Sequence, residues 1–422
     1  MALPVDESAV GVGKVREWGG QCAKFGQEAG GGGHVMFGNF LRLLFLALFV
    51  LSCAQSEVRV EDRRRSELQR LRSGLPALGV ETPRGRAGDG EVFRGSIEVR
   101  TPDFSADVVM LSPVPPQESP SELVLGEFPL ARQKKAILDG DTIRVEGLEG
   151  SLRLLAIDTE ETFKSDAQRR EAAVDFGAYA RAKREQRAFP VKYGTPMGEE
   201  ALRWAESFFG SHSVVRLEYD DRLRDLDLYG RHLVYVMVER GGRWVNYNVE
   251  CVRAGMSPYF TKYGYSRRFH DEFVAAQAEA QAAARGIWAA GAEAYPDYEE
   301  RLRWWNRRGN ALVVFETRHG GREGVVHLGH EPDYALLAEW VGEVVTVFGT
   351  LGERRTEGLP HIARLPHVRG ESFSLVAFSE AEWDAMQLDA FAGDYFYVRG
   401  KLSEYGGRYQ FKVTDIEAIW VE

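Results

Sequence analysis

Strand-like apolar patterning becomes regular at about Ala131. Ala136-Ile137-Leu138, Thr142-Ile143-Arg144-Val145 and Leu152-Arg153-Leu154-Leu155-Ala156-Ile157 read as three strands. Turns at Asp139-Gly140 and at Gly147 to Gly150 join them. Ala201, Leu202, Ala205 and Phe208 recur at helical spacing and predict a helix over Glu199 to Phe209. Val214 to Tyr219 and Leu233 to Val238 predict two more strands. A short helix ending at Gly255 and a longer one through Ala275 to Arg285 follow, closed by Gly286-Ile287-Trp288.

Residues 291–308 read as a linker and 309–422 as a further block. Its predicted strands are Ala311 to Thr317, Val344 to Gly349, Phe373 to Ala377, Tyr395 to Gly400 and Tyr409 to Val413. Helices are expected at Asp333 to Trp340 and Glu380 to Phe391. Upstream, 54–130 reads as a spacer, broken by Pro113, Pro115, Pro116 and Pro120, with short strands around Val92, Ile97, Val99 and Val108.

Length and charge refine this picture. A chain of 422 residues exceeds one ordinary core and implies two or three domains. The net charge of −10 excludes a protein that coats nucleic acid through bulk electrostatics, but not one with a local cationic site. Cys22, Cys53 and Cys251 are the only cysteines. Cys53 ends the apolar run Leu43 to Ser52, too short to span a bilayer as a mature helix. Residues 36–53 resemble a bacterial lipoprotein signal in which Cys53 is lipidated, although Val50 and Leu51 depart from the usual residues. The alternatives are a plain secretory signal or a buried apolar helix. Met36 sits where a signal peptide would start, so 1–35 is expected to be a non-native or unstructured extension. The expectation is an exported protein, anchored in the cell envelope through Cys53 or secreted if that thiol is unmodified, with the spacer holding its domains off the membrane.

Three short segments carry the chemistry: Leu138-Asp139-Gly140-Asp141-Thr142, Leu152-Arg153-Leu154-Leu155-Ala156-Ile157-Asp158-Thr159-Glu160-Glu161-Thr162, and Asp227-Leu228-Tyr229-Gly230-Arg231. Asp141, Asp158 and Glu161 supply carboxylates, and Arg153 and Arg231 supply guanidinium groups. An aspartate at a strand end is ordinarily a cap, and Asp-Gly-Asp is ordinarily a turn. An arginine inside an apolar strand such as Leu152 to Ile157 is costly to bury unpaired, so it needs solvent or an anion.

In this order the set resembles the staphylococcal (thermonuclease) nuclease family over about 131–290. The resemblance implies a β-rich α+β fold, a nuclease-type OB barrel with helices. It implies Ca²⁺ as cofactor, bound by the carboxylates of Asp141 and Asp158 and the carbonyl of Thr159, and hard-oxygen chemistry agrees. It further implies Glu161 as the residue that orients or deprotonates the attacking water, with Arg153 and Arg231 gripping the phosphate. Tyr229 and a tyrosine of the later loop, Tyr259 or Tyr263, would bind substrate; Tyr265 crowds the same loop.

Several positions depart from the family pattern. Glu160 replaces a proline, which is expected to loosen the turn and add negative charge near the metal. Leu228 stands where a lysine is often found. The segment Phe163 to Tyr193 is longer than usual and rich in Arg169, Arg170, Arg181, Lys183, Arg184 and Arg187, either a nucleic-acid grip or a solvated helix. The ending Gly393 to Tyr409 resembles the closing hairpin of a second, nucleic-acid-type OB domain. There Tyr395, Tyr397, Tyr405, Tyr409 and Phe411 would stack bases or pack the core. His319, His327, His330, His361 and His367 are scattered and read as surface residues. The expectation is a calcium-dependent nuclease acting on DNA, RNA or both, with no obligate protein partner. The alternative is a catalytically weak lipoprotein that binds nucleic acid or a partner through the same fold.

Overall fold

The structure is a computed structural model that describes residues 97–102, 108–132, 135–185, 187–210, 214–222, 225–227, 229–367 and 372–422. The lipidation segment with Cys53, most of the spacer and Leu228 lie outside the described residues. No described helix is long and apolar enough to cross a membrane.

Two β-barrels dominate. In chain order the strands are β1 (Glu98–Arg100), β2 (Val124–Pro129), β3 (Thr142–Ile143), β4 (Leu152–Leu154), β5 (Val214–Glu218), β6 (Leu233–Arg240), β7 (Arg243–Asn246) and β8 (Val325–His327). They continue with β9 (Val344–Thr350), β10 (Arg354–Arg355), β11 (His361–Pro366), β12 (Ser372–Ala377), β13 (Tyr395–Lys401), β14 (Ser403–Tyr405), β15 (Arg408–Lys412) and β16 (Ile416–Trp420). The first barrel orders its strands β2-β5-β6-β4-β3, with β7 added on β6. Alternation along β6 is lost because Val234 to Val238 are all buried, the mark of a strand covered on both faces. Ala201, Ala205 and Phe209, one face of helix Pro196–Phe209, close the core together with Tyr247, Val252 and Phe273. Thr195 caps this helix by accepting from Gly198 N, and Pro196 opens its first turn.

The second barrel joins the sheets β1-β16-β13-β9-β8 and β10-β11-β12-β15-β14 around Val347, Leu375, Phe396 and Phe411. Helix Tyr298–Arg318 runs from one barrel to the other. Its end packs Phe315 on Phe348, with ring centroids 4.6 Å apart.

Several boundaries differ from the expected ones. The segment 54–130 is not only a spacer: β1 pairs in parallel with β16, and β2 pairs with β5, so its described part supplies one strand to each barrel. The 291–308 linker and the expected strand Ala311 to Thr317 are both helix, within Tyr298–Arg318. β-Branched Val313, Val314 and Thr317 suggested a strand, but Leu312, Val313 and Phe315 are buried at helical spacing against aromatic rings, and packing overrides propensity. The segment Ala136 to Leu138 forms only an isolated bridge, Ile137 to Ile143. The expected helices at Asp333 to Trp340 and Glu380 to Phe391 each divide into a short α-helix and a 3₁₀ turn. In the second, Gln387 takes a left-handed conformation at the break.

Candidate active site

Strand β4 puts Arg153 between two acidic turns. Its guanidinium reaches Asp141 Oδ2 through Nη1 and Asp158 Oδ1 through Nη2, the latter at 2.6 Å. One fork therefore ties together carboxylates that lie on different strand ends. The turn around Asp141 is fixed from several sides. Thr142 Oγ1 donates to Asp141 Oδ1 at 2.8 Å, and Thr159 N donates to Asp141 Oδ2 at 3.2 Å. Tyr247 OH donates to the Gly140 carbonyl at 2.7 Å. A Cβ at Gly140 would lie 2.5 Å from Thr159 Cγ2, so glycine is what lets the two acidic turns touch. Asp158 N donates to Ser257 Oγ at 2.8 Å.

Burial pushes the Asp141 carboxyl up, but Arg153 and Lys192 outweigh it and hold the group below its usual range. Asp139 goes the other way. Burial, followed by the neighbouring Asp141 charge, pushes it up to about 7.

Lys192 completes the cluster. Its ammonium lies 2.7 Å from Asp158 Oδ1 and 3.8 Å from Glu161 Oε1. It arrives on the long Phe163 to Tyr193 segment, which folds as helices Asp166–Val174 and Phe176–Arg184 before returning to the site. The cation this segment brings to the acidic cluster is the lysine after Val191. A second cation sits nearby. Lys262 is 5.0 Å above the Trp304 ring and 5.2 Å from that of Tyr263. Burial, and then Arg308, lower its ammonium to about 8, against the opposing pull of Asp158.

Glu160 does not loosen its turn. It is buried and accepts from Thr195 Oγ1, from Tyr295 N at 2.6 Å and from Tyr298 OH at 2.8 Å. Burial raises it to about 7. It clamps the Thr159–Glu161 turn rather than adding a free charge to the cluster. Glu161 is held by its backbone: Thr195 N donates to its carbonyl at 3.0 Å, and a Cβ at Gly198 would fall 2.1 Å from that oxygen. Its side chain is half-buried and points to Lys192.

Arg231 stands one strand away. The carbonyl of His232 accepts from Arg153 N at 2.9 Å, which places the Tyr229-Gly230-Arg231 turn beside β4. Asp227 organises that turn, accepting from Tyr229 N and Arg231 N, each at 2.9 Å, and pairing with the Arg231 guanidinium at 2.7 Å. Tyr229 is exposed, with Arg231 above its ring. The loop tyrosines divide clearly. Tyr259 is only 1% exposed, stacked on Phe273 and hydrogen-bonded to His270 Nδ1 and Ser266 N, so its ring belongs to the core and not to a substrate surface. Tyr263 is 55% exposed and beside Lys262. Tyr265 is buried and bonds Asn310 Oδ1.

Among the described residues, no group of three or more His, Cys, Asp or Glu side chains converges as a metal cage. The donor set offered to a cation is two aspartates and the adjacent Thr159 backbone, all hard oxygen. That set suits a calcium ion that keeps several waters.

The sequence of this region decides its kinship. Residues 151–290 match the family model described as staphylococcal nuclease homologue. Over those residues the chain is similar to staphylococcal nucleases. Arg153, Asp158, Thr159, Glu161, Lys192 and Arg231 fall inside the match, while Asp141 lies just before it. An uncharacterized protein of Methanocaldococcus jannaschii is 27% identical over 160 residues, covering 36% of this chain and 68% of the relative. The nuclease domain supports a nuclease-like or nucleic-acid-binding function.

Proposed function

We propose that this chain is a calcium-dependent phosphodiesterase that hydrolyses DNA, RNA or both. The observation that carries the reading is the bridge of Arg153 between Asp141 and Asp158, with Glu161 at its edge, on a nuclease-family barrel. Asp141, Asp158 and the Thr159 carbonyl would hold calcium, which would polarise a phosphate oxygen and acidify a bound water. Glu161, held by its clamped backbone, takes the proton from the attacking water. Arg153 and Arg231 meet the charge that builds on the phosphate oxygens; Asp227 presets the Arg231 fork so that little orientation is lost on binding. Lys192, which contacts both Asp158 and Glu161, competes with the cation for Asp158.

A second reading, binding of nucleic acid without turnover, is favoured by one observation: Arg153 and Lys192 both already occupy Asp158 Oδ1. Glu161→Gln and Asp158→Asn separate the two. Glu161→Gln keeps calcium and nucleotide binding and slows cleavage by about two orders of magnitude or more. Asp158→Asn loses calcium affinity first and is partly rescued by high calcium. Wild-type protein that binds oligonucleotides but never cleaves them establishes the second reading.

Export and lipid anchoring through Cys53 rest on the sequence. Cys53→Ser is expected to release the protein from the membrane fraction or block its maturation, read by fractionation and N-terminal analysis. Wild-type protein that is soluble and starts elsewhere than Cys53 removes the anchor.

A further inference from the structure

A cavity of about 680 Å³ lies between the nuclease barrel and the second barrel. Its nuclease-side wall is Tyr229; the opposite wall carries Arg364 and Arg408, with Tyr334 and His367 beside them. The volume is in the range of built ligand sites. We propose that this cavity is a subsite for single-stranded nucleic acid leaving the nuclease cleft, a proposal that rests on the nucleic-acid reading above.

Continuity with the cleft is the first argument. Tyr229 is two residues from Arg231, whose guanidinium lies 5.6 Å from its ring centre, and the ring is 83% exposed. A strand whose phosphate is gripped at Arg231 meets the Tyr229 face next, and that face can stack a base. Beyond it the cavity offers two cations on a chain of net charge −10. Arg408 has no ion-pair partner among the described residues. It follows the Gly406-Gly407 turn, where both residues have positive φ and the β14–β15 hairpin reverses tightly enough to bring the arginine to the rim. Arg364, on β11, donates to Ser372 Oγ at 3.3 Å and keeps a long 3.7 Å contact with Glu353. Among the described residues Glu353 is the one acidic group in the wall; its side chain is largely in solvent.

The floor is rigid and flat. Tyr334 and His367 stack at 3.8 Å with their planes 5° apart, and His367 Nδ1 donates to the Leu328 carbonyl at 2.5 Å. Both rings are buried, so they brace the wall that carries the arginines, and the exposed Tyr229 ring is the face left to stack a base.

Fluorescence anisotropy with labelled single strands, in chelator so that nothing is cleaved, tests this on the full chain. Wild type should bind a strand of about 12 nucleotides, of the order of the site sizes of OB folds, more tightly than a trinucleotide that fills only the cleft. Arg364→Ala/Arg408→Ala should weaken the longer strand by roughly tenfold and lower the salt slope by about 1.4, two phosphates at about 0.7 each. Trinucleotide affinity should not move. Arg364→Lys/Arg408→Lys should restore most of the slope, which separates lost charge from damaged folding. Equal affinity of wild type and the alanine variant for the longer strand overturns the subsite, as does an equal loss on the trinucleotide. If the nuclease reading fails, cleavage is absent with calcium present while these binding differences remain.

Discussion

Glu160 accepts the hydroxyl of Tyr298 at 2.8 Å, joining the turn that carries the candidate base to the first turn of the helix that enters the second barrel. The family match ends at residue 290, so Glu160 lies inside it and Tyr298 outside. Glu161 is thus positioned in part by residues beyond the family's own boundary. Tyr298→Phe should lower turnover several-fold with little loss of fold. Glu160→Ala removes the acceptor for three buried donors and should cost about 2–4 kcal/mol. Thermal melts and turnover read both; a Glu160→Ala variant as stable as wild type would show that the clamp is unimportant.

Calcium should be required for cleavage, chelator should abolish it, and Mg²⁺ should substitute poorly, since it demands stricter octahedral geometry and sheds water reluctantly. Full activity in chelator would remove Asp141 and Asp158 as metal ligands.

Lys192→Met should tighten calcium binding several-fold, because the ammonium 2.7 Å from Asp158 Oδ1 competes for the oxygen a cation would use. Isothermal titration calorimetry measures this without any turnover. Unchanged or weaker binding would mean that Lys192 supports the site instead of competing in it.

Arg153→Ala and Arg231→Ala should each slow turnover by about two orders of magnitude. Their effects on stability should diverge. Arg153 is mostly buried and serves two carboxylates, so its loss leaves uncompensated charge and should lower the melting temperature; Arg231 is more exposed and its loss should change melting little. Equal melting temperatures for the two variants would contradict this placement of Arg153.

Lys262 gives a pH signature. Its ammonium is lowered to about 8, so above that pH the free protein loses a cation facing the site. Oligonucleotide affinity should be flat below about pH 7 and fall above pH 8, and Lys262→Met should abolish the fall. The unfolded chain keeps this proton up to the ordinary lysine range, so stability should rise with pH between about 8 and 10.5. Affinity independent of pH in wild type would place Lys262 away from the ligand.

Strands β3 to β6 of the nuclease barrel and the Asp141, Arg153 and Asp158 cluster were legible because alternation, turn residues and order along the chain all agree, whereas β2, in the segment read as spacer, was not. Glu160 was misread because its sequence context shows a charge beside a metal motif, while the partners that bury it, Tyr295 and Tyr298, lie far downstream. Lys192 and Lys262 gave no signal: each is a lone lysine in a loop, brought to the site by folding. Among the loop tyrosines, spacing could not separate Tyr259 from Tyr263; burial against Phe273 does.

The parallel pairing of Glu98–Arg100 with Ile416–Trp420 has a consequence for biosynthesis. The ribosome makes β1 before any of the nuclease barrel and makes its partner strand after all of it. The nuclease barrel can therefore close while the polypeptide is still growing, whereas the second barrel waits with an unpaired edge strand until Ile416–Trp420 has been made. A ribosome stalled between the two barrels would leave a closed first barrel with its leading strand exposed to aggregation.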